Sequence, residues 1–85
     1  MYEIRVTAEA RTGFLSLPAS IQPRVQQVFE RLIRWPSISG AKPLKRELKG
    51  AYRIRTGDWR VLFTVDPASQ RITVFRIDNR RDVYE

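Results

Sequence analysis

The stretch Tyr52-Arg53-Ile54-Arg55-Thr56-Gly57-Asp58-Trp59-Arg60-Val61-Leu62-Phe63-Thr64-Val65 decides how this chain folds. Two runs rich in aromatic and β-branched residues, Tyr52–Arg55 and Trp59–Val65, flank Thr56-Gly57-Asp58, whose glycine suits a tight turn with positive φ. A third run of the same kind, Arg71–Ile77, follows Asp66-Pro67-Ala68-Ser69-Gln70, a second segment with turn chemistry. The three runs predict an antiparallel meander. A period of two places Tyr52 and Ile54 on one face, with Trp59, Val61, Phe63 and Val65 on the core side of the next strand. Arg53, Arg55 and Arg60 then project together from the opposite face, across the hairpin from one another.

Working outward, Tyr2, Ile4 and Val6 alternate with Glu3, Arg5 and Thr7, which predicts a half-buried first strand. Thr7 can cap a helix over Ala8–Leu17 that brings Phe14 and Leu17 to one side and stops at Pro18, although Gly13 weakens it internally. Ile21, Val25, Val28, Phe29, Leu32 and Ile33 recur at spacings of three and four, the stripe of an amphipathic helix, with Ser20 as its cap and Pro23 in its first turn. Trp35-Pro36 ends it, because the residue before proline disfavours the α region. Ser37–Gly50 turns polar and reads as a connecting loop. The expected architecture is a small single α+β domain over residues 1–85: a strand, a two-helix hairpin and three more strands, with the helices packed on an antiparallel sheet.

The 85 residues carry sixteen Lys and Arg against nine Asp and Glu, a net charge of +7, and 42% of them are apolar, enough for one compact core. There is no cysteine, which removes disulfides, thiolate nucleophiles and Cys-ligated metal sites. There is no histidine, so any catalysis proceeds without imidazole. The apolar runs are too short to span a membrane and the N-terminus reads as a strand, so a soluble cytoplasmic protein is expected. Residues 1–41 hold five basic and three acidic side chains, whereas residues 42–85 hold eleven and six. That asymmetry suits a polyanion or an acidic protein partner, and it also suits plain solubility.

Three arginines converging on one face repel unless an anion, usually phosphate or carboxylate, sits among them. The same three also fit a solvated polar face with Asp58, Asp82 and Glu85 as neighbours. The segment Asp78-Asn79-Arg80-Arg81-Asp82-Val83-Tyr84-Glu85 adds two arginines and a tyrosine that could close the same surface. Lys42, Lys45, Arg46 and Lys49 form either a backbone-contacting patch or a solvated loop. Trp35 and Trp59 read as core, and Asp58 and Asp66 as turn residues bonded to local amides.

The hairpin from Leu48 to Phe63, with its Leu-x-Gly-x-Tyr-Arg-Ile-Arg-x-Gly-Asp-x-Arg pattern, and the terminus Arg80-Arg81-Asp82-Val83-Tyr84 resemble the RelE/ParE superfamily of toxins from type II toxin–antitoxin modules. The resemblance spans the chain in element order. Its RelE branch implies a metal-independent, ribosome-dependent mRNA endoribonuclease that needs no cofactor: the ribose 2′-hydroxyl attacks the adjacent phosphate and leaves a 2′,3′-cyclic phosphate. The implied catalytic positions are Arg53, Arg55, Arg60, Arg81 and Tyr84, with Lys45, Arg46, Lys49, Arg76 and Arg80 contacting RNA. Asn79 stands where many relatives carry histidine. The implied partners are the ribosome and mRNA and an acidic antitoxin, in a hetero-oligomer that binds operator DNA through the antitoxin. A ParE-like inhibitor of DNA gyrase and a non-catalytic nucleic-acid-binding domain are the competing functions.

Overall fold

A computed structural model of the chain describes residues 1–79. Five strands, β1 (Glu3–Val6), β2 (Lys42–Pro43), β3 (Ala51–Thr56), β4 (Trp59–Asp66) and β5 (Arg71–Asn79), form one sheet in the order β1-β5-β4-β3-β2. Two helices, α1 (Ala8–Leu15) and α2 (Gln22–Leu32), pack on one of its faces. The expected α+β layering and the meander hold. The sheet, however, is mixed: β1 runs parallel to β5, with Ile4 beside Ile72 and Val6 beside Val74. A parallel pair needs a long connection, which the two helices and three intervening strands supply. The loop expected over Ser37–Gly50 contains the two-residue edge strand β2 and a 3-10 turn, Arg46–Leu48. No helix among the described residues is long and apolar enough to cross a membrane.

Local chemistry accounts for the helix limits. Thr7 caps α1, its hydroxyl accepting from the Ala10 amide at 3.2 Å. The helix stops at Leu15, two residues short of the expected end, and the Ser16 hydroxyl donates to the Thr12 carbonyl at 2.8 Å. Proline at 18 disfavours the helical conformation for Leu17, which turns into the core instead. Ser20 does not cap α2. The Ile21 amide donates to the Pro18 carbonyl at 2.8 Å, so Ser20 lies inside that turn and Ile21 takes the cap position with no side-chain bond. Gln22 ties the helices together by donating to the Phe14 carbonyl at 3.2 Å.

Val25, Val28 and Leu32 bury the α2 stripe against Ile54, Val61, Phe63, Ile72, Val74 and Ile77 of the sheet. Trp35 sets its edge on Tyr52 and Phe63 with ring centroids 5.0 and 5.6 Å apart, and Tyr52 and Phe63 stack at 5.8 Å, so this tryptophan is core as expected. Trp59 packs on the same cluster.

Gly13, which seemed to weaken α1, is what lets the helix approach the sheet. A Cβ at this position would lie 2.9 Å from the Ile77 carbonyl oxygen, a backbone atom of β5 that cannot step aside. Glycine to alanine inside a helix ordinarily gains about 1 kcal/mol, but forcing a methyl into a packed contact costs about 1–3 kcal/mol. Gly13→Ala is therefore expected to lower the urea midpoint of unfolding, and a midpoint at or above wild type would show that α1 has room to lift.

Candidate functional site

The sheet face turned away from the helices carries the charge. Pairing register sets two rows across it. In the first, Lys42 of β2 lies opposite Arg53 of β3, Arg53 opposite Leu62 of β4, and Leu62 opposite Arg76 of β5. In the second, Arg55 lies opposite Arg60, and Arg60 opposite Asp78. Arg53, Arg55 and Arg60 thus share a face as the alternation predicts, with Arg60 directly across from Arg55 and diagonal to Arg53.

Their surroundings differ. Arg55 is exposed, Arg53 is 9% exposed and Arg60 only 1%. Arg60 is the largest fully buried side chain among the described residues, and its Nε lies 3.4 Å from Asp78 Oδ1. Directly opposed like charges destabilise a sheet, and a buried guanidinium needs a counter-charge. Asp78 supplies it from the strand on the other side. Its pairing role was hidden in the sequence within a mixed-charge C-terminal segment, although its spacing of two from Arg76 and eighteen from Arg60 was visible. Asp58, Asp82 and Glu85 were the expected neighbours; Asp82 and Glu85 lie outside the described residues.

The remaining cations divide between two depressions. Lys45 and Arg46 join Lys42, Pro43, Leu44 and Arg53 around a cavity of about 470 Å³ at the β2 edge, with no carboxylate in its lining. Arg46 holds a positive φ of 59°, unusual for a side-chain-bearing residue. Lys49 belongs to a different cleft, on the other side of the 3-10 turn. Arg76 lies 3.8 Å from Glu9 of α1 and keeps 40% of its side chain exposed. At the β1 end a carboxylate offsets part of the charge: Glu3 accepts from Arg5 and Arg71, both at 3.1 Å, and these bonds, that from Arg5 first, hold its carboxyl below the usual range. Among the described residues, the cations of the face away from this Glu3 cluster are those of the β2–β3–β4 side and Arg76. Asp66 behaves as a turn residue, accepting from the Ala68 amide at 3.1 Å. Arg80, Arg81 and Tyr84 lie outside the described residues.

A further residue escaped the sequence reading. Strict alternation along β5 from Ile72 and Val74 would turn Arg76 into the core and Ile77 out. The register instead shifts between Leu62 and Phe63, which pair with Arg76 and Val74, so Phe75 is the extra residue of a β-bulge. Phe75 and Arg76 consequently both reach the charged face, and Ile77 returns to the core.

The chain as a whole is similar to known proteins. The family model described as ParE toxin of type II toxin–antitoxin system, parDE, matches residues 4–84. The chain belongs to this family of toxins, within the RelE/ParE superfamily. Among its relatives are the toxin RelG of Mycobacterium tuberculosis, 37% identical over 98% of this chain and 95% of the relative, and the toxin RelE of the same organism, 33% identical over 98% and 86%. The ParE-family fold recurs in the crystal structure of the toxin–antitoxin complex RelBE2 from M. tuberculosis, with a TM-score of 0.81 and 30% identity over 93% of this chain and 98% of that one. The isolated Escherichia coli RelE toxin shares the fold at a TM-score of 0.77 and 14% identity, over 93% and 84%.

Removing Asp78 takes a carboxylate partner away from a buried guanidinium. Asp78→Ala is expected to cost about 3 kcal/mol of stability, read from urea unfolding. The double variant Arg60→Leu/Asp78→Leu should recover most of it. A single variant as stable as wild type would mean that the pair does not anchor β4 to β5.

Proposed function

We propose that this toxin is a ribosome-dependent mRNA endoribonuclease that arrests translation in the cytoplasm. The observation that carries the reading is the Arg55–Arg60 pair, opposed on the sheet face away from the helices with Arg53 beside it, Arg55 exposed and Arg60 buried against Asp78, an arrangement suited to a phosphate group with charge to be stabilised. In the reaction the ribose 2′-oxygen bonds to the adjacent phosphorus and the bond from phosphorus to the 5′-oxygen breaks. The products are a 2′,3′-cyclic phosphate and a 5′-hydroxyl, and the proton lost by the attacking hydroxyl is balanced by one delivered to the leaving oxygen.

Arg60 and Arg81 stabilise the charge that gathers on the non-bridging oxygens of the five-coordinate phosphorus. The pairing of Arg60 with Asp78 supports a fixed orientation of that guanidinium, which needs no reorganisation as the charge develops. Arg53 and Arg55 position the strand and lower the pKa of the 2′-hydroxyl through their positive potential. Arginine stays protonated throughout, so these side chains bind and polarise and do not shuttle protons. Tyr84 stacks on a base or moves a proton. Lys45 and Arg46 at the basic cavity, Lys49, Arg76 and Arg80 hold the flanking backbone.

The same surface suits an acidic antitoxin that covers the arginines, as the similarity to a toxin–antitoxin complex at 30% identity supports. The resulting hetero-oligomer would bind operator DNA through the antitoxin.

Induced expression should arrest growth and create new mRNA 5′ ends at ribosome-occupied codons. Arg60→Ala should lose both effects by at least about tenfold, measured by end mapping in the same cultures, and Tyr84→Phe should lose them only where the Tyr84 hydroxyl moves a proton and keep them where its ring stacks on a base. Arrest without new ends would transfer the target to another machine, such as DNA gyrase.

A further inference from the structure

The bulge in β5 does more than correct the register. Phe75 looks out over a cleft of about 410 Å³ whose floor is Ala51 of β3 and Thr64 of β4 and whose far wall is Leu48 of the 3-10 turn. Ala51 and Thr64 lie directly opposite each other, both small, which leaves the space beside the Phe75 ring open. Gly50, with φ at 100°, turns the chain from the wall into β3, and Glu47 and Lys49 stand at the rim. The cleft thus combines one aromatic face and a floor of two small residues, one of them bearing a hydroxyl, with a few polar groups at its edge, the makeup of a ligand site.

Its position is as telling as its lining. Arg76 is the next residue after Phe75, and because of the bulge it projects from the same face, in the row that continues through Leu62 to Arg53. An aromatic ring adjoining a track of cations is how proteins hold single-stranded nucleic acid, the ring taking a base and the cations the backbone. We propose that this cleft seats one unstacked base of the message, its ring on Phe75 and its edge toward Thr64 and the rim, while Arg76 and Arg53 hold the neighbouring phosphates. The inference rests on the RNA reading above and adds to it a residue that senses which nucleotide flanks the cleavage position. The polar rim, with Arg76 next to Phe75 and Arg53 further along the row beyond Leu62, favours a base over an apolar side chain of a protein partner.

The test uses programmed ribosomes carrying messages with 2-aminopurine at successive positions in and beside the vacant A-site codon, and a 2′-deoxynucleotide at the cleavage position so that the strand is bound but not cut. Wild type should quench fluorescence at one position. Phe75→Leu should abolish that quench and weaken binding about tenfold, Phe75→Tyr should preserve both, and Thr64→Leu, which fills the floor from an exposed strand position, should abolish the quench with the Phe75 ring intact. Urea midpoints and cosedimentation with ribosomes accompany each variant. Wild type that cosediments without quenching at any position overturns the base seat and leaves the ribosomal reading standing. Absence of cosedimentation overturns both. Ordinary quenching by Phe75→Leu would overturn the base seat, and loss of binding to the co-expressed antitoxin by the same variant, read by copurification, would assign the cleft to the protein partner.

Discussion

A buried guanidinium between two strands is the constraint on which the charged face depends. Arg60 sits on β4, the central strand of the sheet, with Arg55 of β3 on one side and Asp78 of β5 on the other. Without the carboxylate, the sheet would have to bury one cation and oppose it directly with a second, and each condition alone is destabilising. With it, positive charge can be concentrated where β3 and β4 meet while β5 supplies the compensation. That pairing holds the Arg60 guanidinium between the strands.

The sheet has two faces with opposite demands. One buries Ile54, Val61, Phe63, Ile72, Val74 and Ile77 under the helices, and this packing is possible at the α1 end only because Gly13 admits the β5 backbone. The other carries the arginine rows, the basic cavity beside β2 and the cleft beside Phe75. Both faces run through β5, and its bulge reconciles them: one extra residue returns Ile77 to the core while sending Phe75 and Arg76 outward. The register of the core and the makeup of the charged face are therefore set by the same irregularity.

Much of this was legible in the chain itself. Alternation in Tyr52–Arg55 and Trp59–Val65 separates core from charge because a strand has a strict period of two, and it brought Arg53, Arg55 and Arg60 to one face. The α2 stripe was plain for the same reason at a period of 3.6. What stayed hidden depends on neighbours distant in sequence. Asp78 looked like one charge in a mixed segment until register set it beside Arg60. Ser20 looked like a cap until the Pro18 turn consumed it, and Lys49 looked like a member of the Lys42–Arg46 cluster until the 3-10 turn directed it to the other side.

The sequence by itself determined the α+β class, the hairpin, the sorting of apolar from charged side chains and the membership in a toxin family carried by the hairpin motif. The first three are properties of local periodicity and local turn chemistry, which a chain expresses before it folds, and the last rests on likeness of the motif to known toxins. Only the tertiary structure decided that β1 joins in parallel, that Arg60 is buried against Asp78, and that Phe75 and Arg76 emerge together beside the arginines. Each of those rests on pairing between segments that loop closure brings together, and a one-residue shift in register changes which face a side chain occupies.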